Sequence, residues 1–162
     1  MRTVLKKLCV PYRLTEWYLD LLIAIPQIIG GALLLFVYGP QNMGVLWESS
    51  YGNLAPFEIS PAFVTRVRDF GGIFSLYPKF FAGFAASVEL YGGLLLILGL
   101  YTRLSSFFIF IMMVITILFR EFDGSWSYIP VLGFLALGIS GMIMGSGRFG
   151  LDYLISKKNN WV

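Results

Sequence analysis

The chain has 162 residues, of which 57% are hydrophobic and only 13% charged, and its mean hydropathy is +0.77. A soluble domain carries about 25% charged residues, so the expected solvent for most of this chain is lipid. One cysteine (Cys9) and no histidine exclude an internal disulfide, a CxxC exchange pair, an imidazole metal site and haem ligation by its own histidines, and a dispersed net charge of +3 excludes a nucleic-acid-binding face.

A bilayer core is crossed by about 20 predominantly apolar residues, about 17 at the short end. In chain order four segments satisfy this: 16–38 (EWYLDLLIAIPQIIGGALLLFVY), 79–100 (KFFAGFAASVELYGGLLLILGL), 103–120 and 126–145. The expected fold is an all-α membrane protein, a four-transmembrane-helix bundle forming a single domain over 1–162. The first run holds Asp20 and Pro26 and ends without a small-residue cleavage site, so it is expected to be a span and not a cleaved signal. Cys9 lies in KKLC with no apolar segment before it and is expected to be a plain cysteine. Pro26 is expected to bend or break the first helix and free a carbonyl near residue 22. Small residues at Gly30-Gly31, Gly92-Gly93, Ala82/Ala86 and Gly141/Gly145 mark faces where helices approach closely.

The flanking charges set an orientation. Arg2, Lys6, Lys7 and Arg13 precede the first span, Arg103 lies in the turn between the second and third, and Arg148, Lys157 and Lys158 follow the fourth. The opposite side has Arg66, Arg68, Lys79 and Arg120 mixed with Glu48, Glu58, Asp69, Glu121 and Asp123. Counting basic residues places the N- and C-termini in the cytoplasm. The connection 39–78 is too long for a structureless link in a compact domain. Ser60-Pro61 reads as a helix start, Phe63, Val64, Val67 and Phe70 share a helical face, and Gly71-Gly72 ends the pattern. A short amphipathic helix is therefore expected at 61–70, lying at the outer membrane surface or folded over the bundle mouth. Trp47, Tyr51, Phe57, Phe74 and Tyr77 give this connection an interface-seeking character, which fits a surface lid as well as a partner-docking or ligand-gating element. The acid pairs Glu48/Glu58 and Glu121/Asp123 read as solvated charges, and no catalytic residue is assigned.

The stretch VELYGGLLLILGLYTRLSSFFIFIMM resembles the signature of the DoxX family: a helix with Glu, a Gly-Gly pair and leucines, a Gly-Leu-x-x-Arg turn, then a helix ending in methionines. The tail GSGRFGLDYLI and the preceding FVTRVRDFGGIFSLYPKFFAGFAAS are also similar to that family's pattern, so the likeness covers most of 60–155. The first span departs from it. Where family members commonly carry an Arg early and a His-Gly-x-x-Lys-like stretch at the end, this chain reads Asp20-Leu21 and Tyr38-Gly39-Pro40-Gln41. The resemblance implies a four-helix, multi-pass protein of the bacterial inner membrane. Some relatives look like small subunits of thiosulfate:quinone oxidoreductase or companions of terminal oxidases. More distant similar folds act in the maturation or trafficking of other proteins.

Glu89 lies ten residues after Lys79, about 15 Å into the second span and so at the bilayer midplane. Gln27 reaches a similar depth in the first. An ionised carboxylate at that depth costs several kcal/mol, so Glu89 is expected to be neutral or to face a partner within the bundle. No span carries a basic residue at that depth, which leaves Gln27, Thr116, Ser87 and Tyr91 as neutral partners. Two roles fit. In one, Glu89, with Gln27 and Tyr91, lines a cavity that faces a quinone-like head group; in the other, Glu89 is hydrogen-bonded to Gln27 or to a freed carbonyl and ties helices together. Asp20, one turn inside the cytoplasmic face, is expected to form a structural ion pair with Arg103 or Arg13, and Arg148 is expected to be a headgroup anchor. Two functions follow as expectations. The first is an accessory subunit of a membrane oxidoreductase, with a quinone as its only cofactor and the redox centres in a partner. The second is a structural or assembly protein that binds another membrane or extracytoplasmic protein.

Overall fold

The computed structural model describes residues 17–45, 54–119 and 128–158. Expectations for Arg2, Lys6, Lys7, Cys9, Arg13, Trp47, Glu48, Tyr51, Arg120, Glu121 and Asp123 lie outside the described residues. Among the described residues the fold is helical, with one isolated antiparallel bridge, Met43 to Ile59. Helix α1 runs through Trp17–Leu33, a π-helical turn Leu34–Tyr38 and Gly39–Asn42. Helix α2 is Pro61–Asp69, α3 is Gly72–Leu76, and α4 spans Pro78–Leu98 with a π-helical turn at Val88–Gly92. Helix α5 is Thr102–Phe119, α6 is Tyr128–Met144, and α7 is Leu151–Lys158, reached through a 3₁₀ turn at Gly147–Phe149.

Three of these helices are long and apolar enough to cross a membrane: Tyr18–Asn42, Pro78–Leu98 and Thr102–Phe119. The fourth expected span coincides with α6, an apolar helix of 17 residues. Their surfaces have the polarity of a membrane protein. Leu22, Ile29, Phe36, Leu118 and Ile143 project outward, while Asp20, Gln27, Asn42 and Glu89 are buried. Such an arrangement is stable only where the surroundings are apolar.

Backbone contact sets the register of α1 against α4. A Cβ on Gly31 would come 2.7 Å from the Gly93 carbonyl oxygen, and one on Gly93 would come 2.8 Å from that of Gly31. Only glycine at both places lets the helices meet there. Leu34, Leu96, Ile109, Met113, Val131 and Phe134 fill the interior between α1, α4, α5 and α6. Tyr38 meets Phe134 edge to face, 5.4 Å between ring centroids. Of the bend or break expected at Pro26, the break does not occur, since helix α1 passes through it without ending; an irregular turn lies further on, at Leu34–Tyr38.

Helix α1 ends beside Ala86, in a cluster that joins Met43, Val45, Ala86 and Leu90, and the first two turns of α4 extend past it. Helix α2 covers them instead, packing Val64 and Val67 against Ala82. The chain returns from α1 to α2 through a narrow backbone ladder. The Gly44 N–H donates to the Glu58 carbonyl at 2.8 Å, and the Ser60 N–H donates to the Asn42 carbonyl at 2.9 Å. An aromatic cluster closes this end, with Phe74 4.8 Å from Phe81 and 5.0 Å from Phe119 between centroids.

Candidate functional site

Glu89 sits in the π-helical turn of α4, opposite the π-helical turn of α1. A π turn holds one residue more than an α turn, loosens the local hydrogen-bond ladder, and occurs frequently at functional sites. The Glu89 side chain is 8% exposed. Its Oε2 accepts a hydrogen bond from Nδ2 of Asn42 at 2.7 Å, and Oδ1 of Asn42 accepts one from Nη2 of Arg66 at 3.2 Å. The Arg66 guanidinium lies 5.3 Å from the centroid of the Phe63 ring, within cation–π range. Three helices are thus joined by one polar chain, from an exposed arginine on α2 through an amide on α1 to a buried acid on α4. The amide presents its N–H to the carboxylate and its carbonyl to the guanidinium, so both ends are matched in sign. Oε1 of Glu89 accepts no hydrogen bond among the described residues.

Gln27 is not the partner of Glu89. Its Nε2 donates to the carbonyl of Gly145 at 2.8 Å, satisfying a carbonyl left open at the end of α6. The Gly31–Gly93 contact explains the mismatch, because it sets Gln27 beside Leu96, Ile97 and Gly99, around a cavity of about 20 Å³. Thr116 and Ser87 are also not partners of Glu89. Each bonds a carbonyl of its own helix, Met112 at 2.9 Å and Gly83 at 2.7 Å.

Tyr91 is 53% exposed and turned away from the bundle centre. It lines a lateral groove of about 480 Å³ together with Met43, Ile59, Phe80, Phe84 and Ser87. The three expected ligand residues therefore occupy three places: Glu89 in the polar chain, Tyr91 in the lateral groove, and Gln27 toward the termini.

The expected ion pair of Asp20 with Arg103 is corrected. Asp20 is fully buried, and its Oδ2 lies 2.8 Å from Nε of Arg148. Gly147, at φ +62°, turns the chain after α6 so that Arg148 comes back onto α1. Arg103 lies on the other side of this end, with Nη2 3.4 Å from the carbonyl of Ile143 in the last turn of α6.

Asp152 was not singled out from the sequence, yet it holds the tail to the bundle. It is buried, and its Oδ1 and Oδ2 accept the backbone N–H groups of Tyr101 and Thr102 at 2.8 and 2.9 Å. It therefore caps the N-terminus of α5 from a point 50 residues further along the chain. The legible signal is an acid two residues after the glycine-rich GSGRFG. Asn42 and Arg66 were missed for another reason: one lies past the expected end of the first span, and the other was counted as a loop charge.

No group of three or more His, Cys, Asp or Glu side chains suited to a metal ion occurs among the described residues. A family model described as DoxX matches residues 29–121, from the second half of α1 to beyond the end of α5, and so takes in Asn42, Arg66 and Glu89. No curated protein and no solved structure matches the chain.

Proposed function

The chain belongs to the DoxX family, and on that premise we propose that it is an accessory subunit of a membrane oxidoreductase or respiratory complex, binding a quinone-like ligand near Glu89. In this reading it is a four-span protein of the bacterial inner membrane with cytoplasmic termini. The observation that carries the reading is a buried acid in a pair of facing π turns, with one oxygen held by Asn42 and Oε1 accepting nothing among the described residues. A carboxyl held this way accepts from a quinol hydroxyl when ionised and donates to a quinone carbonyl when neutral, which suits either form of such a ligand. Asn42 and Arg66 position it. When bound, the ligand supplies two-electron chemistry; metal-based redox centres belong to the partner, since the chain has no histidine and a single cysteine. Gentle purification from the native membrane tests this. Quinone and redox proteins are expected to co-purify, and Glu89→Gln is expected to lose the quinone while keeping its melting temperature within a few degrees. Recovery of wild-type protein with neither quinone nor a redox partner overturns the proposal.

A second reading, an assembly protein for another membrane or extracytoplasmic protein, is favoured by the α3 end. There Ile73, Leu76 and Tyr77 are 58–71% exposed beside the charged Arg68 and Asp69. Replacing Ile73, Leu76 and Tyr77 with serine is then expected to release a co-purifying partner while leaving the bundle folded.

A further inference from the structure

The lateral groove is a second site, separate from Glu89. Helix α4 supplies one wall, with Phe80, Phe84 and Tyr91 along one side. Met43 and Ile59, clamped to each other by the antiparallel bridge, supply the other. The walls meet at Gly83, where a Cβ would come 2.9 Å from Cδ1 of Ile59, so the absence of a side chain there lets Ile59 pack onto α4. Its volume of about 480 Å³ falls within the range of about 300–1,000 Å³ of small-molecule sites.

Its length and charge indicate the occupant. Lys79 lies at one end and Tyr91 at the other, twelve residues apart on α4 and so about 18 Å along it. That is close to the depth of one leaflet, half of a hydrocarbon core about 30 Å thick. Among the described residues of the lining, Lys79 is the one that carries a charge. Glu58, next to the wall, is turned back on its own loop, its Oε2 accepting the Ala55 N–H at 2.9 Å. The Ser87 hydroxyl is spent on the Gly83 carbonyl. The first backbone N–H groups of α4 open at the same end as Lys79, adding partial positive charge there. An ammonium at headgroup level above an apolar trough one leaflet deep matches a phosphate head joined to an acyl chain.

We infer that this groove binds an anionic phospholipid from the leaflet on the α2 side, its phosphate on Lys79 and one acyl chain between Phe84 and Ile59.

The test uses the full chain in mild detergent, titrated with phosphatidylglycerol, phosphatidylcholine and inorganic phosphate, and read by native mass spectrometry. One phosphatidylglycerol is expected to bind per chain, about five- to tenfold tighter than phosphatidylcholine, the gain near a surface of one lysine. Lys79→Ala is expected to abolish that preference and Lys79→Arg to keep it. Gly83→Leu, which pushes the Ile59 wall off α4, is expected to weaken both lipids, and Glu89→Gln to weaken neither, which keeps this inference separable from the quinone proposal. Equal binding of the two lipids to the wild type overturns it, as does unchanged binding in Gly83→Leu. Displacement of the lipid by millimolar phosphate, or by a quinone that also binds Gly83→Leu, overturns it as well.

Discussion

Asn42 and Glu89, 47 residues apart in the chain, meet through a 2.7 Å hydrogen bond at the level where α1 gives way to α2. The bond places a charge-capable group inside the membrane span without requiring a cation in any span, because the amide carries the contact outward to Arg66.

Asn42→Leu is expected to destabilise the protein by about 1–3 kcal/mol, since it strips a buried acid of its donor and releases Arg66. Arg66→Ala, at an exposed position, is expected to cost about 1 kcal/mol or less. Thermal unfolding in detergent measures both, and a double-mutant cycle on Asn42 and Glu89 isolates their coupling. Additive effects in that cycle argue against the bond.

The helix contact at Gly31 makes a sharper prediction. Gly31→Val drives a side chain into the Gly93 carbonyl and is expected to lower stability by about 3 kcal/mol or more. Gly133→Ala, on α6 with nothing within 4 Å of the new Cβ, is expected to be neutral or to gain up to about 1 kcal/mol. Similar melting temperatures for the two variants contradict the register described above.

At the opposite end, Arg148→Ala leaves Asp20 buried without its counter-ion and is expected to cost about 3 kcal/mol, the low end for a broken buried pair because Arg148 is 37% exposed. Asp20→Asn removes the charge as well and is expected to cost less. Arg103→Ala is expected to be milder than Arg148→Ala. The reverse order restores the Asp20–Arg103 pair that the sequence leads one to expect.

Asp152→Ala removes the cap on α5 and is expected to cost about 0.5–2 kcal/mol. Hydrogen exchange at the Tyr101 and Thr102 amides reads it directly: both are expected to lose protection, while amides near Ile109 stay slow. Unchanged exchange at Tyr101 and Thr102 rules the cap out.

Hydropathy alone placed Glu89 and Gln27 inside spans, because a polar residue in a long apolar run has nowhere else to go. It could not pair them correctly. Depth counted from each span's end treats helices as parallel rods of equal length, whereas the Gly31–Gly93 contact slides α1 relative to α4 and sends Gln27 to Gly145. The short helix was foreseen from Ser60-Pro61 and its apolar face, but not that its Arg66 reaches a buried amide: a cation on an amphipathic helix reads as solvated until the fold is known. Asp20 reads as an ion-pair residue from its place one turn inside a span's end, while its partner depends on a positive φ at Gly147 that brings Arg148 back. In each case residue character was legible along the chain, and the partner was decided by a backbone approach between distant segments.

The facing π turns carry a consequence for how this chain tolerates change in length. Each accommodates one residue beyond the ordinary turn, so the part of α1 that follows, Gly39–Asn42, keeps the phase it would have in a helix one residue shorter. Losing Tyr38 alone would let that turn close as an ordinary α turn, with Asn42 still on the side of α1 that faces Glu89. Most one-residue deletions in a loop are absorbed by slack. Here a one-residue deletion inside a helix would be absorbed by the π turn, leaving both the Asn42–Glu89 bond and the Gly31–Gly93 contact in register.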